Sequence, residues 1–327
     1  MIQTQDLCKR FDDFLAVDQV NLEVKSGEVL ALLGPNGAGK TTTLRMLTSV
    51  LRPSSGWARV AGYDVLNEPQ GVRSSVGILT EQHGLYGRMS AMEYLDYFGQ
   101  IYRMPKEVRH KRAADLLDQF GLSAERARKI GEYSKGMRQK LALARALFHD
   151  PPVLLMDEPT SAMDPESARL VRDAIHGLRS AKRAIIVCTH NLAEAEELAD
   201  KIAIIHHGRI IIHGQVSELK DHLLGSAQFE VLVGVSALDP SPILPPGINL
   251  TTSGPGWFRY QTSNPEAINP LVIQSLVAHA VPVLGLAEVS RSLEQVYLQA
   301  VGSADGTRPG AGVAGTVNSE MEASHAG

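Results

Sequence analysis

A glycine-rich loop between an apolar run and a helix-like segment constrains this chain more than any other feature. Residues 29–33 before the loop are an unbroken apolar stretch of strand length, and residues 42–47 after it have a helical pattern. The loop matches G-x-x-x-x-G-K-[ST], in which glycines let the backbone wind tightly and approach a phosphate closely. This strand, loop and helix predict an α/β fold with a phosphate site. The candidate phosphate-binding residues are Gly34, Pro35, Asn36, Gly37, Ala38, Gly39, Lys40, Thr41 and Thr42.

Two side chains of this loop have the chemistry that a polyphosphate and its metal ion require. The ammonium of Lys40 can reach the β- and γ-phosphates, and the hydroxyl of Thr41 can ligate Mg²⁺. The backbone N–H groups of the loop and the start of the following helix would face the polyanion. The loop therefore predicts a nucleotide site, without indicating what the nucleotide drives.

A second apolar run, residues 152–156, ends in two adjacent carboxylates. Such a run suits a central parallel strand that is covered on both faces, and open α/β sheets bind ligands at the carboxyl ends of their strands. Asp157 is predicted to hold Mg²⁺, directly or through water, and Glu158 to orient and deprotonate an attacking water. Taken alone, the two carboxylates also fit a solvated acidic turn after a core strand.

A second small anion site is predicted at residues 133–140. Ser134 and Gly136 stand at the start of a strong helix pattern, where a hydroxyl and free backbone N–H groups can contact an anion. One chain cannot easily bring this segment to its own phosphate-binding loop if the two sites open on different faces.

The order of these motifs resembles that of the ATP-binding cassette (ABC) ATPases. The resemblance covers about residues 2–220 and rests on five ordered motifs: the phosphate-binding loop, the Ser-x-Gly segment, the acidic strand end, Ser161 with Asp164, and Thr189 with His190. It implies an α/β ABC ATPase core with antiparallel β and helical subdomains. It also implies that two cassettes close on ATP and Mg²⁺ and hydrolyse the ATP.

The resemblance implies roles for individual positions. Phe11 corresponds to the aromatic residue that stacks on adenine. Ser161 and Asp164 correspond to the loop that couples the two sites of a dimer. His190 follows a buried-strand pattern and corresponds to the switch histidine near the γ-phosphate.

The signature motif of the family departs from its usual form in this chain. Ser134 and Gly136 correspond to the residues that contact the γ-phosphate of the partner subunit's ATP. The usual motif is Leu-Ser-Gly-Gly-Gln, whereas this chain has Tyr133, Lys135 and Met137 at the first, third and fifth positions. Met137 lacks the amide that the usual glutamine provides.

The family's glutamine between the two subdomains has two candidates here. That glutamine senses Mg²⁺ and the membrane partner. Counted back from Leu85 and Tyr86 without gaps, its position is Glu81, and Gln82 comes next. A carboxylate would add negative charge near the metal, whereas an amide would not. Both residues therefore stay candidates for the nucleotide site.

Composition agrees with a soluble ATPase. Hydrophobic residues make up 44% of the chain and charged residues 21%, and the formal net charge is −4. This balance predicts no nucleic-acid partner. The sequence has no apolar run near the ~18 residues of a membrane helix and no signal-peptide pattern at its start. We expect a peripheral protein at the cytoplasmic face of the cell membrane.

The chain is predicted to divide into two domains and a tail. Residues 1–224 form the ABC ATPase domain, with its helical subdomain at about 83–150. Residues 225–302 alternate strand and helix patterns and resemble the small α+β accessory domain at the end of many drug- and antibiotic-export cassettes. We expect the ATP site to be complete without them. Residues 303–327 are rich in Gly, Ala and Ser and are predicted to be disordered.

The sequence thus predicts the ATP-hydrolysing subunit of an ABC exporter for drugs, antibiotics or lipids. Its expected partners are a second copy of an ABC ATPase subunit, giving a homodimer, and a separate membrane permease that docks near Glu81, Gln82, Leu85 and Tyr86.

The alternative is a soluble ABC ATPase that acts on a macromolecule. Ribosome-acting members usually hold two cassettes, and DNA-repair members insert a long coiled coil; this sequence has neither. A P-loop kinase or GTPase would leave the signature segment and the acidic pair unexplained.

Overall fold

Strands and helices alternate along most of the chain. A computed structural model describes residues 1–80, 83–161, 163–179, 182–235, 238–245, 248–289 and 291–305. The described strands are β1 (Ile2–Phe11), β2 (Phe14–Val24), β3 (Val29–Leu33), β4 (Ser55–Val60), β5 (Tyr63–Asp64), β6 (Val76–Leu79), β7 (Val153–Asp157), β8 (Ala184–Thr189), β9 (Lys201–His206), β10 (Arg209–Gln215), β11 (Ala227–Val233), β12 (Asn249–Gly254), β13 (Trp257–Thr262) and β14 (Val283–Glu288). The described α-helices are α1 (Lys40–Leu47), α2 (Pro69–Ser75), α3 (Ala91–Ile101), α4 (Lys106–Gln119), α5 (Lys135–Ala146), α6 (Pro165–Gly177), α7 (Leu192–Leu198), α8 (Val216–Leu224), α9 (Pro265–Ala278) and α10 (Leu293–Ala304).

A six-stranded sheet forms the centre of the cassette, in the order β10-β9-β3-β8-β7-β6. The strands from β9 to β6 are parallel, and β10 pairs antiparallel with β9. Every residue of β3, β7 and β8 is buried. This burial explains the unbroken apolar runs in the sequence, because both faces of these strands are covered. The carboxyl ends of the three neighbouring strands therefore meet at one edge of the sheet.

The two predicted cassette subdomains are present. A four-stranded antiparallel sheet, β2-β1-β4-β5, packs through residues such as Val17 and Val20 against the central sheet. Helices α3, α4 and α5 share one apolar core, in which Tyr94 and Phe148 are fully buried. Ser90 begins α3 with a capping box to Glu93. The three helices lie within residues 83–150, where the sequence predicts the helical subdomain.

A second four-stranded sheet, β12-β13-β11-β14, follows the cassette in the chain. With α9 it encloses a separate apolar core that includes Phe229, Val231, Tyr260 and Leu276. We call β11–β14 with α9 the small domain. The strand and helix patterns that the sequence shows after residue 225 correspond to β11, β13, β14 and α9. Strand β12 was not predicted because most of its side chains are exposed and give no alternating pattern.

Helix α10 differs from the predicted division of the chain. It follows the small domain in sequence, yet Leu293, Val296 and Ala300 pack in a core with Leu33 of β3 and Ile204 of β9. The last helix predicted for the accessory domain of residues 225–302 therefore packs in the core of the cassette and not in that of the small domain. The same helix continues to Ala304, so the start of the tail predicted at 303 is two residues early. The rest of that tail, from residue 306, lies outside the described residues.

Two chain segments connect the cassette to the small domain, and an arginine links them by hydrogen bonds. Arg291 donates from Nη1 to the Asp221 carboxylate at 2.6 Å and to the Gly225 carbonyl at 2.8 Å. Its Nη2 donates to Glu288 at 3.4 Å. The end of α8 is thereby joined to the segment that leads into α10. Among the described residues, we find no helix with the length and apolar character needed to cross a membrane.

Candidate functional site

The glycine-rich loop connects β3 to α1, as predicted. Gly39 stands at the start of α1 with φ of 109°, and Gly37 has φ of 83°, both in the left-handed region that favours glycine. A Cβ on Gly34 would lie 2.3 Å from the Ile205 carbonyl oxygen of β9. The loop therefore requires glycine for two separate reasons: backbone conformation and close packing against β9.

Lys40 is the first residue of α1 and is nearly buried. Its Nζ donates to the carbonyl oxygens of Gly34 at 2.6 Å and Pro35 at 3.2 Å. The Oε1 of Glu158 lies 3.6 Å from the same nitrogen. The fold thus places a cation where the loop, α1 and the carboxyl end of β7 meet.

Asp157 and Thr41 form a pair of oxygen groups beside this cation. Asp157 ends β7 and is buried, and the Thr41 hydroxyl donates to its Oδ2 at 2.7 Å. Hydroxyl and carboxylate oxygens are ligands that Mg²⁺ takes in proteins. The donor set therefore fits the predicted metal.

Glu158 and His190 meet across the ends of β7 and β8. The Glu158 backbone has φ of 52°, and its N–H donates to the Cys188 carbonyl at 2.9 Å. A positive φ in a residue other than glycine is uncommon, and such strain is often found at functional sites. His190 Nδ1 lies 2.9 Å from Glu158 Oε1, close enough to donate a hydrogen bond. The Oε1 of Glu158 thus lies between the Lys40 ammonium and the His190 ring.

These groups lie in or beside a cavity of about 290 Å³ that opens to the surface. One end contains the glycine-rich loop with Asp157 and Glu158, and the other contains Phe11 and Phe14. The two phenylalanines face each other across the β1–β2 hairpin, and both are exposed. Phe14 was not predicted, although its position beside the hairpin turn could have indicated it. The cavity thus has an aromatic end and an end whose loop and cation are suited to binding phosphate.

The signature residues lie elsewhere. Ser134 begins α5, where its side chain accepts the Met137 N–H at 3.2 Å. A Cβ on Gly136 would lie 3.0 Å from the Ser167 hydroxyl of α6. Neither Ser134 nor Gly136 lines the cavity described above. The structure therefore groups the signature with the start of α6, and not with the chain's own glycine-rich loop.

The loop from β7 to α6 connects these two regions. Ser161 donates its N–H to the Glu158 carbonyl at 3.2 Å. Asp164 begins α6 by accepting the Ser167 N–H at 3.0 Å, and this hydrogen bond lowers the pKa of the Asp164 carboxyl. The Gln139 side chain on α5 donates to the Pro159 carbonyl.

Glu81 and Gln82, the two candidates for the family's glutamine, lie outside the described residues.

Known proteins resemble this chain in both sequence and fold. The ABC transporter family matches residues 17–161. The ABC transporter ATP-binding protein NatA of Bacillus subtilis is 41% identical over 224 residues, which cover 67% of this chain and 91% of NatA. The daunorubicin resistance ATP-binding protein DrrA3 of Streptomyces coeruleorubidus is 33% identical over 296 residues, which cover 90% of this chain and 93% of DrrA3.

A solved structure gives the same result for the fold. It is a dimeric ATP-binding cassette in a post-hydrolysis state, bound to ADP and Pi, and it is 26% identical to this chain. The TM-score is 0.61, and the match covers 66% of this chain and 99% of the other. The predicted family and fold class are confirmed. The chain belongs to the ABC transporter family, as an ATP-binding, ATP-hydrolysing subunit.

Proposed function

We propose that this chain is the ATPase subunit of an exporter for drugs, antibiotics or lipids, and that it drives a separate membrane permease from the cytoplasmic face. One observation carries the proposal: Lys40, Asp157 and Glu158 converge at the carboxyl ends of β3 and β7, in one cavity with an aromatic end. The name of DrrA3 supports the substrate class, since that relative is a daunorubicin resistance protein and its match extends over most of this chain.

The cavity suits ATP in one orientation. The exposed rings of Phe11 and Phe14 offer a stacking surface for adenine. At the other end, the loop N–H groups and the start of α1 face the phosphates, and Lys40 supplies positive charge. Thr41 and Asp157 would hold Mg²⁺, which neutralises charge on the phosphate oxygens when it is bound.

Hydrolysis needs a base for water, and Glu158 has the required position. Its carboxylate follows the buried end of β7 and is only 11% exposed. Its hydrogen bond to His190, at 2.9 Å, fixes the direction of the carboxylate. Glu158 would take a proton from the attacking water, and His190 would hold the carboxylate toward the γ-phosphate.

The signature segment is expected to act on the ATP of a second copy. Ser134 and Gly136 do not line the cavity of their own chain, and Ser161 and Asp164 belong to the loop that runs from Glu158 to α6. Two copies facing each other would complete both sites. We therefore place Ser134, Gly136, Ser161 and Asp164 at the dimer interface.

Mixed dimers test this arrangement. Chains with Ser134→Ala are combined with chains carrying Lys40→Ala, so that a mixed dimer has one site with both elements intact and one site lacking both. Random pairing gives about half mixed dimers, and independent sites then give about a quarter of the wild-type ATPase rate. Activity no higher than the sum of the two mutants would contradict independent sites shared between chains.

A permease is expected to bind beside the helical subdomain. Tyr86 is 48% exposed and packs edge-on against Tyr94 and Tyr97, with ring centroids 5.7 and 5.9 Å apart. An exposed aromatic ring on a rigid base is a favourable anchor for a partner. Glu81 and Gln82, five and four residues before Tyr86, would report the state of the nucleotide site to that partner.

Purification from membranes tests the proposed function. Tagged full-length chain, isolated from membranes of its own organism, should bring with it a protein with several membrane spans, and Tyr86→Ala should reduce the yield of that protein. An exposed aromatic outside this region, Tyr63→Ala, is the matched control. Recovery of ribosomes or DNA-bound proteins in place of a permease would support the alternative function.

A further inference from the structure

Glu194 is a buried carboxylate close to the proposed hydrolytic groups. It lies on α7 and is 3% exposed. Its Oε1 accepts a hydrogen bond from the Thr160 hydroxyl at 2.6 Å, and its Oε2 accepts one from the Thr189 hydroxyl at 2.6 Å. A buried carboxylate is costly unless its oxygens are hydrogen-bonded. Each carboxylate oxygen of Glu194 accepts a short hydrogen bond, and the two donors come from different loops.

Thr189 has the more constrained hydroxyl of the two. That hydroxyl accepts the Asn191 N–H at 3.0 Å, so its own proton is directed to Glu194. The Thr189 carbonyl accepts the N–H of Gly34, at the start of the glycine-rich loop, at 3.3 Å. His190 follows directly in the chain. Glu194 therefore holds the residue that connects the phosphate-binding loop to the switch histidine.

Thr160 belongs to the turn that carries Glu158. It stands two residues after Glu158, and the next residue, Ser161, donates its N–H back to the Glu158 carbonyl at 3.2 Å. Glu194 thus bridges the turn of Glu158 and the loop of His190. These are the two residues whose side chains bond to each other at 2.9 Å.

We propose that Glu194 is a positioning residue for hydrolysis, which fixes the relative placement of Glu158 and His190 without touching ATP. The inference rests on the proposed function. Burial raises the pKa of Glu194, while the two threonine hydroxyls act in the opposite direction. Because both threonines donate to it, the carboxylate acts as an acceptor at both oxygens. Loss of either bond would free one of the two loops to shift.

The main test compares substitutions of Glu194 in the full-length protein. Glu194→Ala should lower kcat about 10- to 100-fold, since small displacements of reacting groups have effects of that size. The Kd of a fluorescent ATP analogue should change by no more than about threefold, because the loop that binds phosphate keeps its own bonds. Glu196→Ala is the matched control, on the same helix but paired at the surface with Lys220.

Glu194→Gln tests whether the hydrogen bonds of residue 194 or its negative charge are needed. In Glu194→Gln, the amide oxygen can accept from Thr189 and the amide NH₂ can donate to the Thr160 hydroxyl, which is free to reverse its direction. We therefore expect kcat to stay within about fivefold of wild type. Wild-type kcat in Glu194→Ala would overturn the inference. A parallel loss of kcat and ATP affinity in a folded Glu194→Ala protein would overturn it as well, since that pattern indicates a structural role only.

Thr160→Val provides a second test if Glu194→Ala does not fold. It keeps the shape of the side chain and removes one hydrogen bond, and kcat should fall several-fold at unchanged ATP affinity. The double variant Thr160→Val, Glu194→Gln should lower kcat by more than either single substitution. In Glu194→Gln the amide still hydrogen-bonds the Thr160 hydroxyl, and Thr160→Val removes that hydroxyl. Unchanged kcat in both Thr160→Val and the combined variant would refute the role of Glu194. An inactive wild-type chain would instead refute the proposed function and, with it, this inference.

Discussion

Replacing Glu158 with glutamine should stop ATP hydrolysis while leaving ATP bound. Glutamine keeps the shape of the side chain but cannot take a proton from water at neutral pH, so kcat should fall about 10²- to 10⁴-fold. The contacts that hold the phosphate-binding loop, such as the bonds from Lys40 to Gly34 and Pro35, do not involve this carboxylate. ATP affinity should therefore stay near the wild-type value, and ATP should accumulate in a closed dimer.

Steady-state hydrolysis, equilibrium binding of a fluorescent ATP analogue and size-exclusion chromatography measure the three effects. Glu196→Gln is the control, since it makes the same chemical change on an exposed side chain of α7. A Glu158→Gln protein that hydrolyses ATP at the wild-type rate would contradict the assignment of Glu158 as the base. Lost ATP binding would indicate that Glu158 is needed for the placement of Lys40, 3.6 Å away.

A chain that ends at residue 224 should be far less stable than the full-length protein. The sequence suggested that the cassette would be complete at that point, but the truncation also removes α10. Leu293 and Val296 are almost fully buried against the cassette. Each contributes about 1.5–3 kcal/mol of hydrophobic stabilisation, compared with about 5–15 kcal/mol for the whole free energy of unfolding. Exposure of the apolar face of α8 that α10 covers, which includes Leu219, should in addition promote aggregation.

Urea denaturation and the soluble fraction after expression measure this effect. Val296→Asp in the full-length chain tests the same contact without a truncation and should cost about 3–5 kcal/mol, because it buries an unpaired charge. Leu284→Asp is the matched control, since Leu284 belongs to the small domain and is 71% exposed. A residue-224 truncation with the urea midpoint of the full-length chain would show that α10 is dispensable.

The parts of the structure that follow local rules could be predicted from the sequence. A strand that is covered on both faces must be apolar throughout, so β3 and β7 were recognisable as central strands. Parallel strands of one sheet end at the same edge, and this placed Lys40, after β3, near Asp157, at the end of β7, although the two are far apart in the chain.

Other parts depend on which surfaces meet, and the sequence does not contain that information in local form. The pattern of α10 indicates that Leu293 and Val296 face a core, but the same pattern would fit the core of the small domain. Glu194 lies in a run of acidic residues on α7 that is typical of a solvated helix face. Only the packing of α7 against β8 shows that this carboxylate is buried while Glu196, two residues later, is not.

The return of α10 to the cassette changes how the small domain can move. The chain leaves the cassette at Gly225 and re-enters it at Leu293, and Arg291 joins the two connections through Asp221 and the Gly225 carbonyl. The small domain is therefore an insertion with two attachment points, although it lies near the end of the sequence. A domain on one tether can rotate in any direction, whereas this one is restricted to rotation about the line between its two attachments. A force applied to it reaches α8 and α10 together, and through α10 it reaches α7, which packs on β3, the strand that precedes the phosphate-binding loop.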